Sequence, residues 1–229
     1  MRPTAHCRIQ PPCGNGCGNM KVLNLYCGLG GNALHWPEYC DVTAVDVEPK
    51  VLEVYAAHRP NDKIVEADAH KYLLDNISEG WDFIWSSPPC QSHSRMQKAT
   101  RHDCLKYPDM SLYQQVLLLT HHFDGKWVVE NVRPYYEPLI KAQSVGRHLF
   151  WSNFIIRAKE IPQPKDFIFL GTSADTQKLK DWLGIQYDGN IYMGGNHCPG
   201  QALRNAVHPS LGLAVFQSAM IDEQKDLFA

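Results

Sequence analysis

One thiol and one carboxyl group in this chain have the types and the spacing to do chemistry together. Ser86-Ser87-Pro88-Pro89-Cys90-Gln91 presents Cys90 directly behind two prolines, whose rings stiffen the backbone. The residues that follow, Ser92-His93-Ser94-Arg95, are polar, which predicts a segment short of deep burial. The alternative for a free thiol is the inert, buried cysteine common in protein cores. Further on, Glu130-Asn131-Val132 closes an apolar run and supplies the carboxyl group. No histidine is evidently placed as the base of a hydrolase. A thiolate beside a carboxyl group suits attack on an electron-poor ring, with the carboxyl group engaging a ring nitrogen. Only the thiolate is reactive, so a depressed thiol pKa is expected.

The elements that must position these groups can be read from the pattern. Residues 22–26, 42–46, 63–66, 82–85 and 127–129 read as strands, with 149–156 and 166–170 as weaker ones. Residues 49–58, 69–75, 109–122, 175–183 and 209–220 read as helices. Gly184 is placed as a C-cap and Pro209 in a first turn. Strand and helix alternate at α/β spacing, which predicts a parallel, doubly wound sheet. Ligands of such sheets lie beyond the carboxyl ends of the strands. The glycine turn at 28–31, Asp46, Asp68, Cys90 and Glu130 all fall there. Gly28-Leu29-Gly30-Gly31-Asn32-Ala33 fits a loose G-x-G-x-x-G/A fingerprint, and Asp46 follows Gly28 by 18 residues. That spacing suits NAD, FAD and S-adenosylmethionine equally. Asp68 is a second acid able to accept from an adenine amino group, and also a good helix N-cap.

Seven segments in one order carry a resemblance: LYCGLGGN (25–32), TAVDVEP (43–49), ADAHKYL (67–73), SSPPCQSHS (86–94), VVENV (128–132), VGRHLFWSNF (145–154) and LRNAVHPSLG (203–212). Together they resemble the DNA (cytosine-5) methyltransferases, and the likeness spans residues 21–220. It implies a Rossmann-like α/β methyltransferase sheet with a very small recognition appendage. It also implies S-adenosyl-L-methionine as cofactor, double-stranded DNA as partner, and methylation at C5 of a flipped cytosine, in a setting such as restriction–modification. Carried over by residue, Tyr26, Gly28, Gly30 and Gly31 line the methionine and ribose part of the cofactor. Asp46 takes the ribose, Val47 lies beside the adenine, and Asp68 meets the adenine amino group. Cys90 is the nucleophile that adds to C6, and Glu130 contacts N3 and the amino group of the base. Arg147 holds the base carbonyl and the loop, and Asn205 sits near the transferring methyl. Two other readings stand beside this one. A tRNA-directed RNA cytosine-5 methyltransferase shares PPCQ and ENV, but its C-F-T segment is absent here. A catalytically silent DNA-binding relative is opposed by the intact Cys90, Glu130 and glycine turn.

Departures from the family concern recognition more than chemistry. The arginine motif is reduced to Gly146-Arg147-His148, Arg204 stands where a glycine is usual, and His208 precedes Pro209. Arg204 and His208 are expected either at phosphate or as plain exposed loop side chains. The reading divides the chain into a flexible leader (1–20), a catalytic domain (21–154), a reduced DNA-recognition region (155–202) and a returning motif and helix (203–229).

Composition bounds the alternatives. The 229 residues carry a net charge of −2, with 44% hydrophobic and 20% charged residues, as in an ordinary globular chain. Near-neutrality excludes a protein that coats nucleic acid by bulk charge. Locally the balance shifts: residues 91–106 hold four bases and one acid, whereas 41–82 hold ten acids and four bases. The eight cysteines include no C-x-x-C pair, and no apolar run suits a membrane span or signal peptide. Reduced thiols, a cytoplasmic location, no metal site and a monomer are the expectations.

Overall fold

Alternation along the strands decides which side chains meet on each face of the sheet. The computed structural model describes residues 19–95, 107–165, 167, 176–193 and 198–221. Its strands are β1 (Met20–Leu25), β2 (Cys40–Asp46), β3 (Lys63–Glu66), β4 (Phe83–Ser86), β5 (Lys126–Val132), β6 (Gln143–Val145) and β7 (His148–Ser152). They form one sheet in the order β3-β2-β1-β4-β5-β7-β6. The first five are parallel, as expected; β7 runs antiparallel to β5, and β6 antiparallel to β7. Strand order reverses beside β1, which places a ligand crevice at the carboxyl ends of β1 and β4.

The helices are α1 (Pro49–His58), α2 (Ala69–Asn76), α3 (Ser111–His122), α4 (Thr176–Leu183), α5 (Gln201–Asn205) and α6 (Pro209–Ala219). On one face, Val22, Val42, Phe83, Trp85 and Phe150 pack against α1 and α6. Phe83 and Phe216 meet edge to face at 5.3 Å and 85°, an arrangement worth about 0.5–1.5 kcal/mol beyond burial. On the other face, Leu23, Leu25, Ile84, Trp127 and Val129 pack against α2 and α3. A smaller cluster joins Leu179 and Leu183 of α4 and Leu203 of α5 to Leu29, Val51 and Val54. Of the 155–202 region, Phe167, α4, Ile185 and Ile191 therefore lie against the glycine turn and α1, whereas Ile156, Ala158 and Ile161 pack on the face covered by α6.

The helix expected from 109 begins at Ser111, because the Asp109 carboxylate accepts the Ser111 N–H at 2.9 Å. Gly184 does end α4: it adopts φ +68°, and the Ile185 N–H returns to the Lys180 carbonyl at 3.1 Å. The weak strand at 149–156 is β7, which starts at His148. The candidate strand at 166–170 lies outside the described residues apart from Phe167, as do residues 1–18 of the expected leader. β6 and α5 were not expected. Three edge residues and five helical ones are too short to show a period.

Candidate active site

Register brings the ends of three strands level. Leu25 pairs with Ser86, and Ser86 with Val129. The turns after β1 and β4 and the end of β5 therefore open on one rim. Immediately after β1, Tyr26 takes φ 54°, a left-handed conformation uncommon outside glycine. Its hydroxyl accepts from the buried Gln115 amide at 2.9 Å, and the Gln115 carbonyl accepts from the Ser86 hydroxyl at 2.6 Å. Gln115 of α3 thus ties the ends of β1 and β4 together. Burial pushes the Tyr26 phenol up to about 12, which keeps it protonated.

The glycines of the turn have different tasks. A Cβ on Gly28 (φ +52°) would meet nothing within 4 Å, so its open side is free for a ligand. A Cβ on Gly30 would lie 2.6 Å from the Tyr55 ring, and one on Gly31 2.3 Å from the Val207 carbonyl. Gly30 therefore serves packing and lies off the cavity, whereas Gly31 lines it. Asp46 holds the turn: one carboxylate oxygen accepts the Gly28 N–H at 2.9 Å, the other the Glu48 N–H at 3.0 Å. Burial raises the Asp46 pKa, and these backbone donors oppose the rise.

A cavity of about 600 Å³ opens between these turns, within the range of small-molecule sites. Tyr26, Gly28, Asp46 and Val47 line one part of it, Cys90 and Glu130 another, and Asn205 a third. Val47 is 71% exposed, an apolar surface left free for a flat ring. Asp68 does not line the cavity; it caps α2 by accepting the Lys71 N–H at 2.8 Å. Arg147 also lies off this cavity, and its Nη2 donates to the Arg204 and Ala206 carbonyls at 2.7 and 3.3 Å. Arg204 places a guanidinium nitrogen 2.9 Å from the Cys198 sulfur, and His208 caps α6 by accepting the Ser210 N–H at 3.1 Å.

Cys90 and Glu130 are aligned by a residue whose task the sequence did not disclose. The Asn131 amide donates to the Pro88 carbonyl at 2.9 Å, which fastens the end of β5 to the prolyl turn. The Cys90 carbonyl accepts the N–H groups of His93 and Ser94 at 3.0 and 2.9 Å. His93, in a segment expected from its polar residues to stay short of deep burial, is 1% exposed. The Tyr136 hydroxyl, 2.6 Å from its Nδ1, makes that burial possible. A second residue not foreseen is His148, whose Nδ1 lies 2.6 Å from Glu130 Oε1.

The thiol pKa departs from expectation. Desolvation first, and the charge of Glu130 second, push Cys90 up to about 11, against a lowering by Arg147. The apolar wall that shapes the site also disfavours the thiolate. Alkylation of Cys90 by iodoacetamide, followed by peptide mass spectrometry, should therefore rise about tenfold per pH unit from about pH 7 to 10. A plateau by about pH 8 would contradict this.

Among the described residues, no group of His, Cys, Asp or Glu could hold a metal ion, and no helix is long and apolar enough to cross a membrane. The sequence model of the family "C-5 cytosine-specific DNA methylase" matches residues 20–138, just over half of the chain. The chain belongs to this family. Membership implies S-adenosylmethionine as the cofactor. No curated protein sequence matches it. Among solved structures, the Entamoeba histolytica methyltransferase EhMeth is 11% identical, over 91% of this chain and 99% of that one, with a TM-score of 0.51. That likeness supports the Rossmann-like fold. A Spodoptera frugiperda DNMT2 mutant is 22% identical over 49% of this chain and 35% of that one (TM-score 0.34). The Schizosaccharomyces pombe Dnmt2 methyltransferase is 17% identical over 74% and 61% (TM-score 0.42). The match thus spans about a third of the insect enzyme's length.

The residues present fit the cofactor. Gly28 leaves open space where a backbone must admit a ligand, and Asp46 lies beside it as an acceptor. Both border the same cavity as the thiol.

Proposed function

We propose that this enzyme methylates C5 of a cytosine flipped out of duplex DNA, by way of a covalent bond between Cys90 and C6 of the base. One observation carries the reading: Cys90 and Glu130 share a single cavity with Gly28, Asp46 and Asn205. A nucleophile, a group for the ring nitrogen and a cofactor cradle therefore open on one space. Four bases against one acid in residues 91–106, directly after Cys90, support a polyanionic substrate.

The cofactor, when bound, supplies an electrophilic methyl group. Gly28, Asp46 and Val47 would hold its adenosine part, with Tyr26 and Asn205 along the remaining wall. The chain's own residues do the rest. C5 of cytosine is a poor nucleophile until Cys90 gives its thiol proton to water and the thiolate adds to C6. The S–C6 bond forms, the C5–C6 π pair shifts toward C4, and the C4–N3 π pair becomes a lone pair on N3. Glu130, having taken up a proton from solvent as the base enters, gives it to that nitrogen, and the ring becomes an enamine nucleophilic at C5. After C5 carries the methyl group, Glu130 recovers the N3 proton. Water takes the C5 proton, and the C5–H electron pair re-forms the C5–C6 double bond as the Cys90 thiolate leaves. A base within a duplex cannot reach Cys90, so it must leave the stack.

The test uses DNA carrying 5-fluorocytosine in varied contexts with S-adenosylmethionine, and matched RNA beside it. Fluorine at C5 cannot be lost as a proton, so the reading expects a trapped Cys90 adduct on DNA. An adduct on RNA alone, or none on any DNA, overturns it. Glu130→Gln should slow methyl transfer by about 10²–10³-fold, as loss of one transition-state contact in a water-poor site does. Single-turnover rates check this value.

A further inference from the structure

We propose that His148 is the positioning residue of Glu130, a role the family pattern alone does not assign in this chain. The inference rests on the reading above, because it concerns the carboxyl group proposed to serve the ring nitrogen. The two side chains are each 7% exposed, with Nδ1 2.6 Å from Oε1. The pairing of β5 with β7 explains how they meet. Val132 lies opposite His148 and Glu130 opposite Phe150, so Glu130 and His148 are diagonal neighbours. Phe150 stabilises the imidazole, its ring 6.0 Å away and tilted by 31°.

A buried carboxylate requires a donor. Arg147, the arginine of the motif, commits its Nη2 to two backbone carbonyls, so its influence on Glu130 is exerted through charge. The hydrogen bond to the carboxylate comes from the next residue, His148. His148 also borders a second, small cavity of about 20 Å³, shared with Glu160 and His208, enough space for one water. The titratable and charged groups facing the pair are thus Cys90 and Arg147 on the side of Glu130, and Glu160 and His208 on the side of His148.

The proton step gives the pair its purpose. As the S–C6 bond forms, the proton of Glu130 moves to N3, and the carboxylate left behind keeps the Nδ1–H bond of His148. When the sulfur leaves, the proton returns to Glu130. That hydrogen bond stabilises the carboxylate at the moment it forms, which favours the proton transfer.

The experiment compares His148→Asn and His148→Ala in the wild-type and Glu130→Gln backgrounds. Asparagine keeps an N–H donor near the place of Nδ1. His148→Asn should bind S-adenosylmethionine as wild type does and form the 5-fluorocytosine adduct within about tenfold of the wild-type rate, because the donor is kept. His148→Ala should lose about 10²-fold at every pH. In Glu130→Gln, neither change should add a further loss, because His148 acts through that carboxyl group. A His148→Asn variant as slow as His148→Ala, or a full additional loss in Glu130→Gln, overturns the proposal. A readout independent of activity accompanies these. A far-downfield imidazole N–H proton in the NMR spectrum should persist in Cys90→Ala and vanish in Glu130→Gln. Its absence from wild type, or its survival in Glu130→Gln, equally overturns the pair. If wild type forms no adduct, the function proposed above fails, and the NMR proton still decides whether His148 holds Glu130.

Discussion

Replacing Cys90 with alanine should abolish methyl transfer, by roughly 10⁵–10⁶-fold, as loss of a covalent nucleophile does in other enzymes. Cofactor affinity should stay within about twofold, because alanine removes none of the groups that cradle the cofactor. The structure gives reasons for so clean a separation. The turn after β4 is held by backbone and neighbours, not by the sulfur: the Cys90 carbonyl accepts from His93 and Ser94, and Asn131 grips Pro88. Alanine preserves all of these bonds, so the loss should fall on chemistry alone. Glu130→Gln differs in kind, since it leaves the nucleophile in place and also removes a charge that raises the thiol. Alkylation of Cys90 in Glu130→Gln should therefore reach a given rate at lower pH than in wild type, even as methyl transfer slows. Single-turnover assays and calorimetry with S-adenosylmethionine check the Cys90→Ala expectation. Transfer above about 1% of wild type would remove Cys90 from the role of nucleophile.

What was legible in the sequence was local. Strands such as β2 alternate buried residues between two faces, and the β-branched run over 42–45 shows this directly. The thiol and the carboxyl group are legible because each lies in a short contiguous motif at a strand end. The rest depends on contacts between distant elements. The run that becomes β7 reads the same in either direction, so its antiparallel course, and with it the meeting of His148 with Glu130, emerges only from pairing. The burial of His93 depends on Tyr136, 43 residues away. Gly30 and Gly31 look alike as turn glycines, yet one abuts a ring of α1 and the other the carbonyl of Val207. Asp68 offered two compatible roles from its type, and its contact with the Lys71 N–H shows one of them, the cap. The pKa of Cys90 follows from the enclosure of the cavity, which no motif records.

The largest effect on stability should come from Gly212→Ala. A Cβ there would lie 2.1 Å from the Asn32 carbonyl oxygen and 2.6 Å from its Cα, both backbone atoms. Neither can swing aside, so α6 or the glycine turn must shift. The cost should reach about 3 kcal/mol, the upper part of the usual overpacking range. For a chain of this size that is a fall of roughly 6–12 °C in Tm. Gly31→Ala probes the same seam from the other side, with its Cβ 2.3 Å from the Val207 carbonyl and 3.3 Å from the Ala206 Cβ. Ala206 and Val207 line the cavity, so this variant should lose cofactor affinity as well as stability. Gly28→Ala separates strain from crowding. It meets nothing within 4 Å, but a Cβ must adopt φ +52°, at a cost of about 1–2 kcal/mol. The expected order of thermal stability is wild type, Gly28→Ala, then Gly212→Ala, by scanning calorimetry. If Gly212→Ala melted with wild type, the seam between α6 and the glycine turn would have to be looser than these distances require. The cavity would then lack the rigid wall that keeps Asn205 and the glycine turn on opposite sides of one space.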